Sequence, residues 1–214
     1  GKEQSLIPAS HLNIALGPLV QTWRIGFSDA RIPNTAEVTH ALSLTDPQLI
    51  ELDPLSCTVF LAKEGMKLDL GCLAKGYIAD KIADYLKSQH VMSALINLGG
   101  NIKTIGSNVL ADRAWQIGIQ DPRQPRGTNL AVLPISNQSV VTSGTYERKL
   151  QVNEHTYHHI LDRKTGYPVD TQLASITIIS DNSLDGEIWT TRLYGEKPRQ
   201  LLARVEREKD IEAL

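Results

Sequence analysis

"LAKGYIADKIADYLKSQHVMSALINLGGN", Leu73–Asn101, decides how the rest of the chain is read. Its first part sets Leu73, Tyr77, Ile82, Tyr85 and Leu86 at helical spacing, the expected inner face of one helix. Its second part, "SALINLGGN", is a short apolar run that ends in Gly99 and Gly100, a buried strand running into a turn. Helix and strand alternate here. The question is whether the strands lie parallel in crossover units or fold back on one another.

The flanking segments favour folding back. Upstream, "CTVFLAKEGMKLDLG" (Cys57–Gly71) reads as a hairpin, two apolar strands about Lys63-Glu64-Gly65 with Gly65 supplying the turn. "SHLNIALGPLVQTWRIG" (Ser10–Gly26) opens with a serine cap and spaces Leu12, Leu16, Leu19 and Trp23 as a helix. "NTAEVTHALSL" places Glu37 three residues after Asn34, a capping pattern, and Asp46-Pro47 starts a short turn. Downstream, "AWQIGIQDP" alternates, and "AVLPISNQSVVTSG" holds two short strands. "LQVNEHTYHHILD" makes a hairpin through Asn153-Glu154, and "ASITIIS" is a clean central strand. "SLDGEIWTTRLYG" and "KPRQLLARVEREKD" are helices, after which "DIEAL" stops as though one more strand should follow. So many hairpins among the helices predict an α+β fold, mixed or antiparallel sheets with packed helices, rather than a doubly wound parallel sheet.

Composition narrows the function. The chain has 214 residues, 41% apolar and 21% charged, enough for one sizeable core. A net charge of -2 favours neither nucleic acid nor an anionic membrane as partner. The two cysteines, Cys57 and Cys72, form neither a metal-type pair nor a disulfide framework. No apolar run approaches the roughly 20 residues that span a bilayer. No secretory signal is visible, and the opening "GKEQS" leaves an export signal or lipid anchor open.

Five stretches carry candidate chemistry. In "LDLGCLAKGYIAD" a strand ends, a glycine turns the backbone, and a helix starts with Lys75 in its first turn. Free N–H groups, the dipole and the ammonium together suit a phosphate, although the glycine spacing is not that of a Walker loop and an ordinary strand–helix junction reads the same way. In "INLGGNI" the paired glycines either let a ligand approach the backbone or make a simple turn. In "VVTSGTYERKL" Thr142, Ser143 and Gly144 offer hydroxyls and N–H groups; the G-x-S-x-G elbow of a nucleophilic serine is absent, and a polar turn before a strand is the plainer reading.

The fourth is "HHILDRKTGYPVD" (His158–Asp170). On a strand His158 and His159 point to opposite faces, and His155 and His159 stand about 13 Å apart, so the three histidines do not share one ion without a bulge. A single imidazole at the strand end is either structural or a general base. The fifth is "LDGEIWTTRLYG", where Glu187 and Thr191 share one helix face and Asp185 is a further carboxylate; oxygen ligands of this kind suit Mg2+. An acidic cluster placed at a helix start for its dipole is the alternative.

Taken in order, "LDLGCLAKGYIAD … ALINLGGNI … WQIGIQDP … TSGTYER … HHILDRKTGYPV … DGEIWTTRLYG" resembles the ApbE family of FAD:protein FMN transferases, and "ALGPLVQTW" fits the same pattern. The resemblance runs from about Asn13 to Gly195. It implies an ApbE-like, T-fold-related architecture and a single flavin transferase domain over residues 1–214, without the family's N-terminal strands and its last strand. It also implies a reaction. FAD binds with Mg2+ at its diphosphate, a threonine or serine hydroxyl of an acceptor flavoprotein attacks the FMN phosphorus, and AMP leaves.

Residue by residue, the resemblance puts Lys75 on the flavin-binding lysine and His159 on the catalytic base, with Asp162, Thr165 and Gly166 completing that motif. Asn97, Gly99, Gly100, Ser143 and Gly144 would line the flavin pocket. Thr191 matches the metal-binding threonine, and the carbonyl of Cys72 falls where a backbone oxygen completes the metal shell. The family has an aspartate four residues before that threonine, where this chain has Glu187. Either Glu187 reaches the metal with its longer arm or Asp185 substitutes. The same residues would serve an FAD pyrophosphatase, in which water takes the place of the hydroxyl, or a flavin-binding module without turnover. A zinc hydrolase built on the histidines is a more distant reading. The resemblance implies a bacterial cell-envelope location, lipid-anchored in some members, with a cytoplasmic one open.

Overall fold

A computed structural model describes residues 1–146, 148–153 and 155–214. Glu147 and the Glu154 of the expected Asn153-Glu154 turn lie outside the described residues. In chain order the helices are α1 (Lys2–Leu6), α2 (Gly17–Trp23), α3 (Thr35–Leu42), α4 (Ala74–Ser88), α5 (Ser183–Leu193) and α6 (Pro198–Val205). The strands are β1 (Ile50–Asp53), β2 (Thr58–Leu61), β3 (Ala94–Leu98), β4 (Asn101–Ile105), β5 (Trp115–Gln120), β6 (Asn129–Ile135), β7 (Ser139–Gly144), β8 (Lys149–Val152), β9 (His155–His158), β10 (Ser175–Ser180) and β11 (Ile211–Ala213). Every strand pairing among them is antiparallel, so the α+β expectation holds. No helix among the described residues is long and apolar enough to cross a membrane.

The chain divides into two compact units, Gly1–Cys72 with Thr145–Thr171, and Leu73–Gly144 with Gln172–Leu214. The second unit is built on a five-stranded sheet in the order β11-β10-β7-β4-β3. Strand alternation gives this sheet two covered faces. Val140 and Ile179 turn toward Ile117, Ile119 and Ile135 of the β5–β6 hairpin. On the other face α4 lies over β3 and β4, and α5 over β7 and β10. "ASITIIS" is an inner strand there, as read from its apolar run, between β11 and β7.

The inner face of α4 is the expected one in part: Leu73 is buried, and Ile82 and Leu86 pack against the core of Ala79, Ala83, Ile96 and Ile105. Gly76, Ala79 and Ala83 are buried, whereas Tyr77 and Tyr85 stand 53% and 64% exposed. Close approach explains this. A methyl at Gly76 would lie 2.6 Å from the Ser183 carbonyl oxygen at the start of α5, so only small residues fit where the two helices meet. Gly99 and Gly100 form a two-residue hairpin turn between Leu98 and Asn101. Their φ angles of +62° and +93° are those of a type I′ turn, which needs positive φ at both positions.

In the first unit, α2, α3 and the β8–β9 hairpin enclose a core of Leu19, Trp23, Ile25, Val38, Ala41 and Leu161. The helix expected from Ser10 begins only at Gly17, with Pro18 in its first turn. Ser10 caps a local turn instead, its Oγ accepting from the Leu12 N–H. The Asn34–Glu37 capping box is formed, and Asp46 caps a short 3-10 turn at Pro47–Leu49. The hairpin expected about Lys63-Glu64-Gly65 does not form. β2 pairs back with β1, because Asp53 fixes the intervening turn by accepting from Leu55 N–H and Ser56 Oγ. The chain after Gly65 runs instead along the Ile14–Gly17 segment, with Asp69 N–H donating to the Ile14 carbonyl at 2.8 Å.

Candidate functional site

Lys75, Asn97, Gly99, Gly100, Ser143, Gly144, Asp185, Glu187 and Thr191 belong to the second unit. Of these, Lys75 is brought onto the carboxylate of Glu187, which is 3% exposed on α5. Its Oε1 receives the Lys75 ammonium at 2.5 Å and the Asn101 Nδ2 at 2.8 Å. A buried carboxylate is tolerated only when it is paired and hydrogen-bonded, and here a cation from α4 and an amide from β4 converge on it. Lys75 keeps 46% of its side chain exposed, so its charge also faces solvent.

This cluster depends on residues that the motif reading passed over. Asp80, one turn beyond Gly76 on α4, accepts the Ser183 N–H at 2.8 Å and the Leu184 N–H at 2.9 Å. A carboxylate at those free amides satisfies the N-terminus of α5 and its dipole. The Ser183 hydroxyl donates to the Asn101 Oδ1 at 2.5 Å. Two residues on, Lys103 is buried and donates to the Asp181 carbonyl. Burial pushes its ammonium below the ordinary range, against the opposing pull of Asp80. No local signal in the sequence marks them, because their partners lie far along the chain.

Thr191 is half-buried one turn beyond Glu187 on the same face of α5. Asp185 is not on that face. Six residues before Thr191, it lies roughly a third of a turn round the helix, where it accepts from Asn182 Nδ2 at 3.1 Å. Of the two carboxylates considered, Glu187 is therefore the one aligned with Thr191. Asn97 is exposed and its Oδ1 accepts from Gly100 N–H at 2.9 Å, which fixes the type I′ turn. A Cβ on Gly99 or Gly100 would meet nothing within 4 Å, so positive φ is what calls for glycine there. Ser143 is half-buried on β7 opposite Ile176, and the buried Gly144 ends the strand.

His159, Asp162, Thr165, Gly166 and Cys72 belong to the first unit. Cys72 is half-buried. The neighbouring histidines differ in kind. His158 is buried; its Nδ1 lies 3.3 Å from the Ile160 N–H and so accepts, which leaves Nε2 to donate to the Val169 carbonyl at 2.9 Å. Burial pushes this imidazole below its ordinary pKa, consistent with a neutral ring. His159 is half-buried just past the end of β9. Its Nδ1 lies 3.3 Å from the Arg148 carbonyl, which can only accept, so Nδ1 carries the proton and Nε2 the lone pair. That is the tautomer of a general base.

The rest of the motif is a loop that sets this strand end in place. The Asp162 carboxylate accepts the Lys164 and Thr165 N–H groups at 2.6 and 3.2 Å. Asp162 N–H donates to the Tyr167 carbonyl at 2.7 Å, and Thr165 Oγ1 accepts from Tyr167 N–H at 3.3 Å. Gly166 has φ +75°, and a methyl there would stand 2.8 Å from Val38. Trp23 Nε1 donates to its carbonyl at 2.9 Å. The histidines do not assemble into a zinc centre: among the described residues no three His, Cys, Asp or Glu gather to hold a metal ion.

The chain is similar to known proteins along its whole length. The family model "ApbE family" matches residues 1–214. An FAD:protein FMN transferase of Klebsiella pneumoniae (strain 342) is 47% identical over all of this chain and 65% of its own length. One from Treponema pallidum is 38% identical over 85% of this chain and 54% of its own length. The chain thus spans somewhat over half the length of these relatives. The crystal structure of an ApbE protein from Thermotoga maritima superposes with a TM-score of 0.84 at 28% identity, over 94% of this chain and 65% of that one. An apo flavinyl transferase ApbE from Pseudomonas stutzeri gives 0.81 at 28% identity, over 100% and 65%.

Proposed function

The chain belongs to the ApbE family, and from that premise we propose that it transfers FMN from FAD to a threonine or serine hydroxyl of an acceptor flavoprotein, with Mg2+ as cofactor and AMP as leaving group. The observation that carries the reading is the buried Glu187 carboxylate, one turn from the Thr191 hydroxyl, with the half-exposed Lys75 ammonium on it. This is an oxygen donor set of the type Mg2+ takes. That Oε1 already receives one cation, Lys75, marks it as a place where positive charge is stabilised. Glu187 and Thr191 would hold the metal. When bound, Mg2+ supplies charge neutralisation on the diphosphate.

The chain's own residues supply the rest. Lys75 offers its exposed charge to the FAD phosphates. His159, with the lone pair on Nε2, takes the proton of the acceptor hydroxyl. The hydroxyl oxygen forms a bond to the FMN phosphorus as the bond from that phosphorus to the bridging oxygen breaks, and AMP departs with that oxygen. Because phosphoryl transfer asks mainly for positioning and charge stabilisation, few residues are needed.

Intact-mass spectrometry of an acceptor protein incubated with the enzyme, FAD and Mg2+ tests this. An FMN adduct on a threonine or serine is expected, and it should disappear in excess EDTA. Full labelling in EDTA would remove the metal from the reading. AMP released equally fast without acceptor would convert the reading to FAD hydrolysis.

A further inference from the structure

We propose that Asn101 is a positioning residue that orients Glu187 as a metal ligand, an inference that rests on the reading of Glu187 given above. Asn101 is 2% exposed, so it does not reach a substrate itself. Its Nδ2 donates to Glu187 Oε1 at 2.8 Å and its Oδ1 accepts the Ser183 hydroxyl at 2.5 Å. The direction of both bonds follows from chemistry. A carboxylate only accepts, so the amide nitrogen must face Glu187, and the Ser183 hydroxyl is left to donate to the oxygen. Ser183 is itself fixed, because its backbone N–H is held by Asp80 Oδ1 at 2.8 Å. Three elements therefore agree on one orientation of a buried carboxylate: α4 through Asp80, the α5 start through Ser183, and β4 through Asn101.

The Gly99-Gly100 turn gains a role from this. It makes Asn101 the first residue of β4, paired with Leu98, and Asn97 holds the turn through Gly100 N–H. Lys103, next on the same face, is buried too, so the side of β4 that meets the helices is polar for two successive positions. Apolar residues would fill that space more cheaply, and buried polar groups persist where their orientation matters.

Hydrogen-bond partners behind a metal ligand change metal affinity by about 10- to 100-fold when removed. The test uses the purified protein with Mn2+ as probe, read by loss of the free-ion EPR signal, so no turnover is involved. Asn101→Ala should weaken Mn2+ binding by about 10- to 100-fold, and Ser183→Ala should weaken it less, in the same direction. Thr104→Val removes another buried polar contact of β4, to the Gln138 carbonyl, and serves as the packing control; it should leave Mn2+ affinity unchanged. Glu187→Ala should abolish binding. If Glu187→Ala loses the ion while Asn101→Ala and Ser183→Ala keep wild-type affinity, or lose no more than Thr104→Val, the positioning role is overturned and the ligand reading stands. If Glu187→Ala binds Mn2+ as tightly as the wild type, the ligand reading falls and the inference with it. Should Asn101→Ala fail to fold, Ser183→Ala against Thr104→Val decides the matter alone.

Discussion

The Glu187 cluster and the Asp162–Gly166 loop hold their polar residues by opposite means. Around Glu187, side chains hold side chains: Lys75, Asn101, Ser183 and Asp80 pass hydrogen bonds from one element to the next inside the unit. In the loop, the backbone does the holding. Asp162 serves two amides of its own turn, and Gly166 rests on Val38 and Leu19 with its carbonyl on Trp23. The first arrangement fixes the direction of one carboxylate. The second fixes the path of the chain, so that His159 leaves β9 with its Nδ1 against Arg148. A change in the first should therefore alter chemistry before stability, and a change in the second the reverse, with His159 itself the exception.

The largest effect expected is at that exception. His159→Ala should lower the rate of FMN transfer by about 10²- to 10⁴-fold, the usual contribution of a general base, while FAD affinity by fluorescence titration stays within error of the wild type. Loss of FAD binding in step with activity would mean that the imidazole holds the ligand rather than the proton. Next comes Gly166→Ala. At φ +75° an alanine is strained, and its methyl meets Val38 at 2.8 Å, so a loss of about 2–3 kcal/mol in chemical denaturation is expected. A midpoint unchanged in urea would show that the loop is not docked as described.

The corresponding glycine of the other region is Gly76, and its substitution sharpens the contrast. Alanine suits the interior of α4 by about 1 kcal/mol, but its methyl would stand 2.6 Å from a carbonyl oxygen of α5, and backbone yields less readily than a side chain. A net cost of about 1–2 kcal/mol is expected, smaller than at Gly166. Transfer activity should nevertheless fall further than for Gly166→Ala, because displacement of α5 carries Glu187 and Thr191 with it. Equal activity losses at equal stability would erase the distinction between the two regions.

How much of this was legible beforehand follows the range of the interactions. The Asn34–Glu37 box, the Gly99-Gly100 turn and α5 could be read because their causes lie within a few residues. The partner of β2 could not, since Asp53 outcompeted Gly65 as the turn former through bonds to Leu55 and Ser56 that the apolar pattern does not display. The two tyrosines of α4 lie off the expected inner face for a similar reason. Aromatic and aliphatic side chains mark a helix face that packs at ordinary distance, whereas α4 meets α5 through Gly76, with Ala79 and Ala83 on the same buried side. Lys75, Glu187 and Thr191 stand out by residue type and spacing, and the family pattern gives them their roles. Asp80, Asn101 and Ser183, which join those elements, carry no local signal, because their partners lie 82 to 104 residues away in the chain.

The smallest effect concerns His158, the histidine that has no part in the proposed transfer. Its ring is buried and bonded as a neutral imidazole, Nδ1 to Ile160 N–H and Nε2 to the Val169 carbonyl. Its folded-state pKa lies below the ordinary 6.5, with desolvation as the main cause. Between that lowered value and 6.5 the unfolded chain binds the proton that the folded chain refuses. This contribution to stability is therefore fully present above pH 6.5, declines as the pH falls through that window, and is spent once the folded ring also protonates. Denaturation midpoints should drop modestly from pH 7 toward pH 5, and His158→Gln should flatten that part of the profile while lowering stability at pH 7, where one of the two ring bonds is lost. A His158→Gln profile parallel to the wild type would assign the acid sensitivity to other groups. It would also show that burial alone, without a net proton difference, distinguishes this histidine from the one beside it.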